Sequence, residues 1–172
     1  MTEYQPSPLA TVATEFVDGH PTLVFTRELR HAPQRVWAAL TKADQVGRWS
    51  PFTAEQDLDQ LGPSTIQMID GDDAMPMTVE VVRCEPPTDL EYRWGDDLLR
   101  WHLDPIAGGT RLTLHHVTRG PEWVPMVAAG WHLCLDVAEH LLDGDPIPPI
   151  RGQEAREFGW EELRAEYEKR LS

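Results

Sequence analysis

Four histidines are the residues best suited to bind a metal ion or to transfer protons. His115 and His116 are adjacent in a predicted strand, so their side chains point to opposite faces of the sheet and cannot hold one metal ion together. With His102 and His132 they form no HxH, HxxxH or HExxH pattern. The spacing therefore predicts no metal site and no cofactor. We expect His116 to point inward as a neutral side chain bonded to a carbonyl group, rather than to act as a general base.

Arg27 lies among apolar residues of a predicted strand, residues 22–30 (TLVFTRELR), and shares one face with Phe25. An unpaired guanidinium is costly to bury, so Arg27 must meet a carboxylate, a carbonyl group or a ligand anion. We expect a structural ion pair, with Asp136 among the candidate partners, in preference to a ligand contact.

No catalytic nucleophile is indicated. Ser50 precedes a proline and lacks a GxSxG setting, and Cys84 and Cys134 have neither CxxC spacing nor a basic cluster beside them. The paired aspartates at 72–73 and 96–97 fall in turns, where aspartate bonds to its own backbone. The sequence names no catalytic residue and favours a protein that is not an enzyme.

Aromatic side chains are concentrated on the predicted inner face of the sheet, where they would either fill an ordinary core or line a pocket for an apolar ligand. We favour the pocket, in which Arg27 would be the polar anchor if it contacts a ligand instead of forming the expected ion pair. Its predicted lining residues are Phe25, Arg27, Trp49, Met68, Val79, Tyr92, Trp94, Trp101, Leu112, His116 and Trp131.

The elements that must position these residues follow from periodicity. Residues 52–117 alternate apolar and polar side chains between Gly-, Asp- and Pro-rich breaks, which predicts six antiparallel strands with one dry face. Residues 123–142 carry a broad apolar stripe at helical spacing and would cover that face. Residues 33–41 predict a short amphipathic helix, and a second short helix should end near 47–49.

We expect one α+β domain over residues 1–172, with a flexible leader at 1–20 and a core at 22–142. The segment IPPIRGQ, at 147–153, is typical of a flexible link, and a closing helix should occupy 153–171. Such a chain folds as a sheet covered on one face by helices.

Charge and hydropathy exclude several partners. The 172 residues include 29 acidic and 15 basic side chains, a net charge of −14, which repels nucleic-acid phosphates and anionic lipid surfaces. No apolar run is long enough to cross a membrane, and the N-terminus has no signal-peptide pattern. We therefore expect an acidic cytoplasmic protein.

The segment RELRHAPQRVWAALTKADQVGRWSPF, at 27–52, resembles the opening of the SRPBCC or START-type superfamily, which includes the major birch-pollen allergen. The details are similar to the branch named for activators of the heat-shock-ninety chaperone ATPase. This resemblance implies a helix-grip fold: a curved antiparallel sheet of six to seven strands around a long C-terminal helix, two short helices between strands 1 and 2, and a closing helix. The matching positions are Ala32-Pro33, Val36-Trp37, Leu40-Thr41, Arg48-Trp49, Gly130-Trp131-His132, Leu135, Leu141-Leu142-Asp143-Gly144, Trp160, Leu163 and Tyr167.

Three functions remain open. The first is a non-catalytic carrier or sensor of a small apolar or aromatic molecule, since the superfamily includes lipid and hormone carriers. The second is an enzyme similar to the polyketide cyclases and aromatases of the superfamily, with Arg27, Tyr92 and His116 as the acting groups. The third is a chaperone- or stress-linked interaction protein with a filled core. The sequence also leaves open whether the chain forms a homodimer.

Overall fold

The computed structural model describes residues 4–171 as a curved antiparallel sheet packed against a long helix. The sheet order is β1-β2-β8-β7-β6-β5-β4-β3. The strands are β1 Thr11–Val17, β2 His20–Leu29, β3 Phe52–Ala54, β4 Gly62–Asp70, β5 Asp73–Glu85, β6 Asp89–Trp94, β7 Asp97–Ile106 and β8 Gly109–Val117. The helices are α1 Pro33–Thr41, α2 Ala43–Val46, α3 Trp123–Leu142 and α4 Trp160–Leu171, with a 3₁₀ helix at Gly152–Phe158. The predicted helix-grip fold is confirmed.

The two faces of the sheet differ as the alternation predicted. Val79, Leu99 and Leu114 are fully buried on the inner face. Glu80 and Arg100, which follow Val79 and Leu99 in the same strands, are exposed on the outer face. Each inward position of β7 lies beside an inward position of β8 in the antiparallel register. The inner face is therefore a continuous apolar surface that a helix must cover.

Helix α3 provides that cover, over the residues that the periodicity predicted. Pro125 lies in its first turn, where a missing N–H group breaks no helical hydrogen bond. The helix is buried along most of its length, and it ends before Gly144, which adopts φ +81°. None of the helices within residues 4–171 combines the length and the hydrophobicity that a membrane span requires.

The N-terminal segment differs from the sequence-based expectation. Residues 11–17, which we placed in a flexible leader, form strand β1 and pair with β2 from Thr11↔Thr26 to Val17↔His20. The sheet accordingly has eight strands rather than six to seven. The strand lies at the edge, and most of its side chains are exposed on both faces, so it lacks the apolar alternation that identified the others.

The link between α3 and α4 is also more ordered than we predicted. Ile150 is 4% exposed, and Arg151 donates hydrogen bonds to the carbonyl oxygens of Ser50 and Gly47. Gly152 has φ +55°, and a Cβ atom there would clash with the side chain of Asp70. Only glycine fits this approach. The segment is therefore a packed wall at one end of the sheet, not a free tether.

Candidate functional site

An aromatic cluster fills the centre of the space between the sheet and α3. It consists of Trp49, Trp94, Trp101, Trp131 and His116, with Trp131 of α3 at its centre. The Trp131 ring lies 5.2 Å from Trp101 in an edge-to-face arrangement and 6.0–6.5 Å from the other three rings. These separations are those of packed aromatic pairs. The middle of the sheet–helix space is therefore solid.

A cavity of about 230 Å³ adjoins one side of this cluster, and we call it the α3 cavity. Its walls come from the ends of β6 and β8, from one side of α3, and from the segment that joins α3 to α4. Thirteen of its lining residues are uncharged at neutral pH or apolar, and Arg151 is the charged one. The lining residues are Pro51, Trp94, His116, Met126, Val127, Gly130, Trp131, Leu133, Cys134, Ile150, Arg151, Gly152, Ala155 and Trp160.

Gly130 leaves part of this space open. It lies within α3, and a Cβ atom added to it would meet no atom within 4 Å beyond the neighbouring residues of its own helix. A glycine inside a helix costs up to about 1 kcal/mol relative to alanine. At this position the missing side chain enlarges the cavity, so Gly130 shapes the site at the expense of helix stability.

His116 is held in one neutral form beside the cavity. The indole Nε1 of Trp131 donates to its Nδ1 over 2.9 Å, so Nδ1 carries no proton. The proton on Nε2 is then donated to Oδ2 of Asp97, 2.7 Å away. His116 points inward as predicted, but a carboxylate and an indole take the place of the expected carbonyl partner. Both ring nitrogens are engaged, which leaves no free lone pair for proton abstraction.

The eleven residues predicted for the pocket are only partly brought together. Trp94, His116 and Trp131 line the α3 cavity. Met68 lies next to it, and its sulfur accepts a hydrogen bond from Trp94 Nε1. The remaining apolar residues of the set pack in the core without lining the cavity; they are Phe25, Trp49, Val79, Tyr92, Trp101 and Leu112.

Arg27 faces a different part of the molecule. Its Nη1 donates to Asp136 Oδ1 over 2.7 Å, and its Nη2 is paired with Glu139 on the same helix. It borders a polar cleft of about 560 Å³ beside the N-terminal segment. The expected ion pair with Asp136 is present. Since two carboxylates hold the guanidinium, Arg27 is not placed to anchor a ligand in the α3 cavity.

Asp136 is the centre of a buried polar network that fixes the N-terminal segment to α3. The carboxylate is 3% exposed and accepts hydrogen bonds from Arg27, from Tyr4 (2.6 Å), and from both the backbone N–H and the hydroxyl of Ser7. Burial alone would raise the pKa of Asp136, but the charge of Arg27 and these hydrogen bonds outweigh it and hold the pKa below 3.8.

His132 extends the polar network to α4. Ser7 donates its hydroxyl proton to Asp136, so Ser7 Oγ accepts from Nε2 of His132 at 3.2 Å. The other ring nitrogen, Nδ1, then accepts from the Tyr167 hydroxyl at 2.7 Å, which itself accepts from the Ala10 N–H. Burial raises the pKa of Tyr167 to about 12, so it stays a proton donor. When His132 is neutral, every polar side-chain atom in this row of hydrogen bonds has a partner.

The buried state of His132 predicts a stability that falls with acid. Burial holds its pKa below 6.5, despite the opposing charge of Asp136. Between that folded pKa and 6.5 the unfolded chain binds more protons, so the free energy of unfolding decreases as the pH is lowered from 7 to 5. We expect His132→Gln to show a shallower decrease in urea denaturation across this range. Burial lowers the pKa of His115, so this residue acts in the same direction, whereas the hydrogen bond that His102 donates to Asp89 raises the pKa of His102 and makes it act in the opposite direction.

Variants of those two exposed-face histidines provide the control. In a chain that carries His115→Gln or His102→Gln, the further replacement His132→Gln should reduce the pH dependence of the free energy of unfolding by the same amount as in wild type. Neither His115 nor His102 contacts the polar network. An identical pH slope in wild type and His132→Gln would show that His132 is not held neutral by the fold.

The three residues proposed for cyclase chemistry occupy separate environments. Arg27 lies in the polar network, and His116 lies between Asp97 and Trp131. The Tyr92 hydroxyl is buried against Trp101 Nε1 at 3.3 Å, and its burial raises its pKa above 10. A shared reaction site for these three groups is therefore not formed. Within residues 4–171, no three His, Cys, Asp or Glu side chains converge as metal ligands would.

A comparison of the sequence with family profiles identifies the family. Residues 30–143, about two thirds of the chain, match the profile of the family described as Activator of Hsp90 ATPase homolog 1-like protein. The chain belongs to this family. The match covers α1 through α3 and confirms the resemblance to this branch of the SRPBCC superfamily. Domains with this superfamily's fold are typically ligand-binding domains.

Solved structures of this fold come from several bacteria. A conserved protein of unknown function from Enterococcus faecalis superposes with a TM-score of 0.69 at 16% identity, covering 92% of this chain and 89% of its own. CalU16 from Micromonospora echinospora gives 0.67 at 18% identity, with 93% and 95% covered. A Bordetella parapertussis protein gives 0.66 at 23% identity, with 99% and 96% covered. The curated proteins provide no significant sequence match.

Sequence reasoning missed the wall of the cavity that lies outside the family match. Ile150, Arg151, Ala155 and Trp160 all line the cavity, and all follow the long helix. Two signals were available: apolar residues flank the Pro-Pro pair at 148–149, and a lone arginine is embedded among them. Both were read as features of a link, because no periodicity connects them to the sheet.

Proposed function

We propose that this protein is a non-catalytic carrier or sensor that binds a small apolar or aromatic molecule in the α3 cavity. The observation that carries the proposal is the space of about 230 Å³ bounded by three tryptophans, His116 and the apolar side of α3. Concave sites with mostly apolar walls and a few polar groups are the usual form of small-molecule sites.

The size and shape of the cavity limit the ligand to about one or two fused rings. An engineered cavity of about 150 Å³ lined by aliphatic and aromatic groups holds benzene, and the α3 cavity is somewhat larger. The indole rings of Trp94, Trp131 and Trp160 provide flat walls for stacking. A long lipid chain or a folded polyketide needs more room than this.

Ligand binding in the α3 cavity depends mainly on removing apolar surface of the ligand and of the cavity wall from water. Each Å² of apolar surface removed from water contributes about 25 cal/mol, before the entropy of association is subtracted. Trp94 and Trp131 already donate their N–H groups to Met68 and His116. At this end, the cavity therefore selects a ligand by the shape of its rings rather than by its hydrogen-bonding groups.

The experiment fills the cavity from Gly130. In Gly130→Leu the new side chain extends into space that has no atom within 4 Å of a Cβ, so the fold should be retained while the cavity is occupied. We expect 2-naphthamide and indole to bind wild type in isothermal titration calorimetry and to shift amide NMR signals of α3. In Gly130→Leu their affinity should fall at least about tenfold, which corresponds to the loss of about 1.4 kcal/mol of contact.

Ala165→Leu is the matched control, because Ala165 is exposed on α4 and does not line the cavity. It adds the same side chain and should leave binding unchanged. The proposal fails if neither probe binds wild type, or if both bind Gly130→Leu as tightly as wild type.

A further inference from the structure

Arg151 is the only charged residue among the described residues that line the α3 cavity. It is half-buried, in the segment between α3 and the 3₁₀ helix. Its Nε donates to the Ser50 carbonyl oxygen over 2.8 Å, and its Nη2 donates to the Gly47 carbonyl oxygen. A guanidinium carries five N–H groups, so three remain without a protein acceptor among residues 4–171.

No carboxylate neutralises this charge. Within the described part of the chain, no acidic side chain lies within 4.0 Å of Arg151, whereas Arg27 at the other side of α3 has two such partners. Glu154 acts on Arg151 only from a longer distance. Cys134 lies on the same wall, but burial raises its pKa to about 12 and keeps the thiol neutral. Burial also lowers the pKa of Arg151, as expected for a cation that has lost water without gaining an anion.

We propose that the ligand of the α3 cavity is a small aromatic carboxylate, with its ring against Trp94, Trp131 and Trp160 and its carboxylate on the free N–H groups of Arg151. This inference rests on the proposed function and adds the charge of the ligand to it. A planar guanidinium matches a carboxylate with two parallel hydrogen bonds, which is its strongest mode of recognition. In a chain with a net charge of −14, such a cation is a local site for an anion on a surface that otherwise repels one.

Arg151 also has a structural role, since it ties the residues after α2 to the segment that follows α3 through two carbonyl groups. A purely structural arginine would affect the melting temperature and the affinity for all ligands alike. A ligand-binding arginine would affect charged ligands selectively. The ratio of affinities for an acid and its neutral amide separates the two roles.

The test compares 2-naphthoate with 2-naphthamide by calorimetry on the full chain. We expect 2-naphthoate to bind wild type at least about tenfold more tightly, as for a charge-assisted hydrogen bond. In Arg151→Gln the ratio should fall to about one, while the affinity for 2-naphthamide changes by less than about threefold. Arg156→Gln removes the same charge from an exposed position in the same segment and should keep the wild-type ratio.

The outcomes separate the two proposals. If wild type binds the acid and the amide equally, or if Arg151→Gln keeps the preference, the carboxylate inference is wrong and the cavity proposal stands. If neither probe binds wild type, the proposed function itself fails. Should Arg151→Gln not fold, Arg151→Lys takes its place: it keeps the charge but cannot form two parallel hydrogen bonds, so the ratio should fall below that of wild type, and an unchanged ratio would overturn the carboxylate inference.

Discussion

Replacing Asp136 with asparagine is expected to lower the free energy of unfolding by about 3–5 kcal/mol, the usual cost of removing one member of a buried ion pair. The carboxylate is 3% exposed, and it accepts hydrogen bonds from Tyr4, Ser7 and Arg27. An amide of the same size leaves the charge of Arg27 with Glu139 alone, and it turns an NH₂ group toward donors that need an acceptor. Urea denaturation at pH 7 measures the effect.

Glu139→Gln is the matched control, because it removes the second carboxylate of the same arginine. Glu139 is 30% exposed, so water replaces much of what it provides, and a cost of about 1 kcal/mol or less is expected. The Asp136 effect should also depend on pH. Its folded pKa lies below 3.8, so its contribution is complete above that value and disappears as the pH falls through the folded pKa. Equal costs for the two variants would contradict the role given to the polar network.

Truncation of Trp131 to alanine is the second large effect, with an expected loss of about 3–5 kcal/mol of stability. Trp131 is 3% exposed and contacts four other rings of the aromatic cluster. Its removal leaves a void beside the α3 cavity and also leaves Nδ1 of His116 without its donor. Both consequences act in the same direction.

Trp131→Phe gives an intermediate case. It keeps an aromatic ring in the cluster but removes the N–H group that donates to His116 and part of the ring volume, so a loss of about 1–3 kcal/mol is expected. Urea denaturation of both variants gives the comparison. If Trp131→Ala costs less than about 1 kcal/mol, the cluster does not hold α3 against the sheet.

The sequence was sufficient for the fold where side-chain periodicity and burial coincide. Helix α3 and the six strands from β3 to β8 were predicted because apolar residues recur on one side of each element, at a period of about four residues in the helix and of two in the strands. Strand β1 escaped prediction because an edge strand with most of its side chains exposed needs no such period. The same reason explains the wall at residues 147–153, where burial depends on single residues rather than on a repeat.

The candidate site was predicted less completely than the fold. Alternation places Trp101 and Trp94 on the same inner face, but it does not tell whether a ring meets another ring or an empty space. In the structure Trp101 packs edge-to-face on Trp131, whereas Trp94 borders the cavity. That difference depends on residues far apart in the chain, including Gly130 and Ala155. The space that these small residues leave beside Trp94 appears only when the elements are assembled.

Both ends of the chain hold α3 in place, and they do so with different chemistry. The N-terminal segment is attached through the polar network at Asp136, and the segment after α3 packs through Ile150 and Arg151. The cavity lies on the second side only. We therefore expect changes at Asp136 to reduce stability without altering ligand preference, and changes at Arg151 to alter the preference between acid and amide.

A crystal structure of the protein soaked with 2-naphthoate would show whether the α3 cavity takes up a small aromatic molecule. We expect ring density between Trp94, Trp131 and Trp160, with the carboxylate on Arg151. A structure in which Trp131 or Trp160 closes this space, and the soaked compound is absent or bound elsewhere, would contradict this expectation.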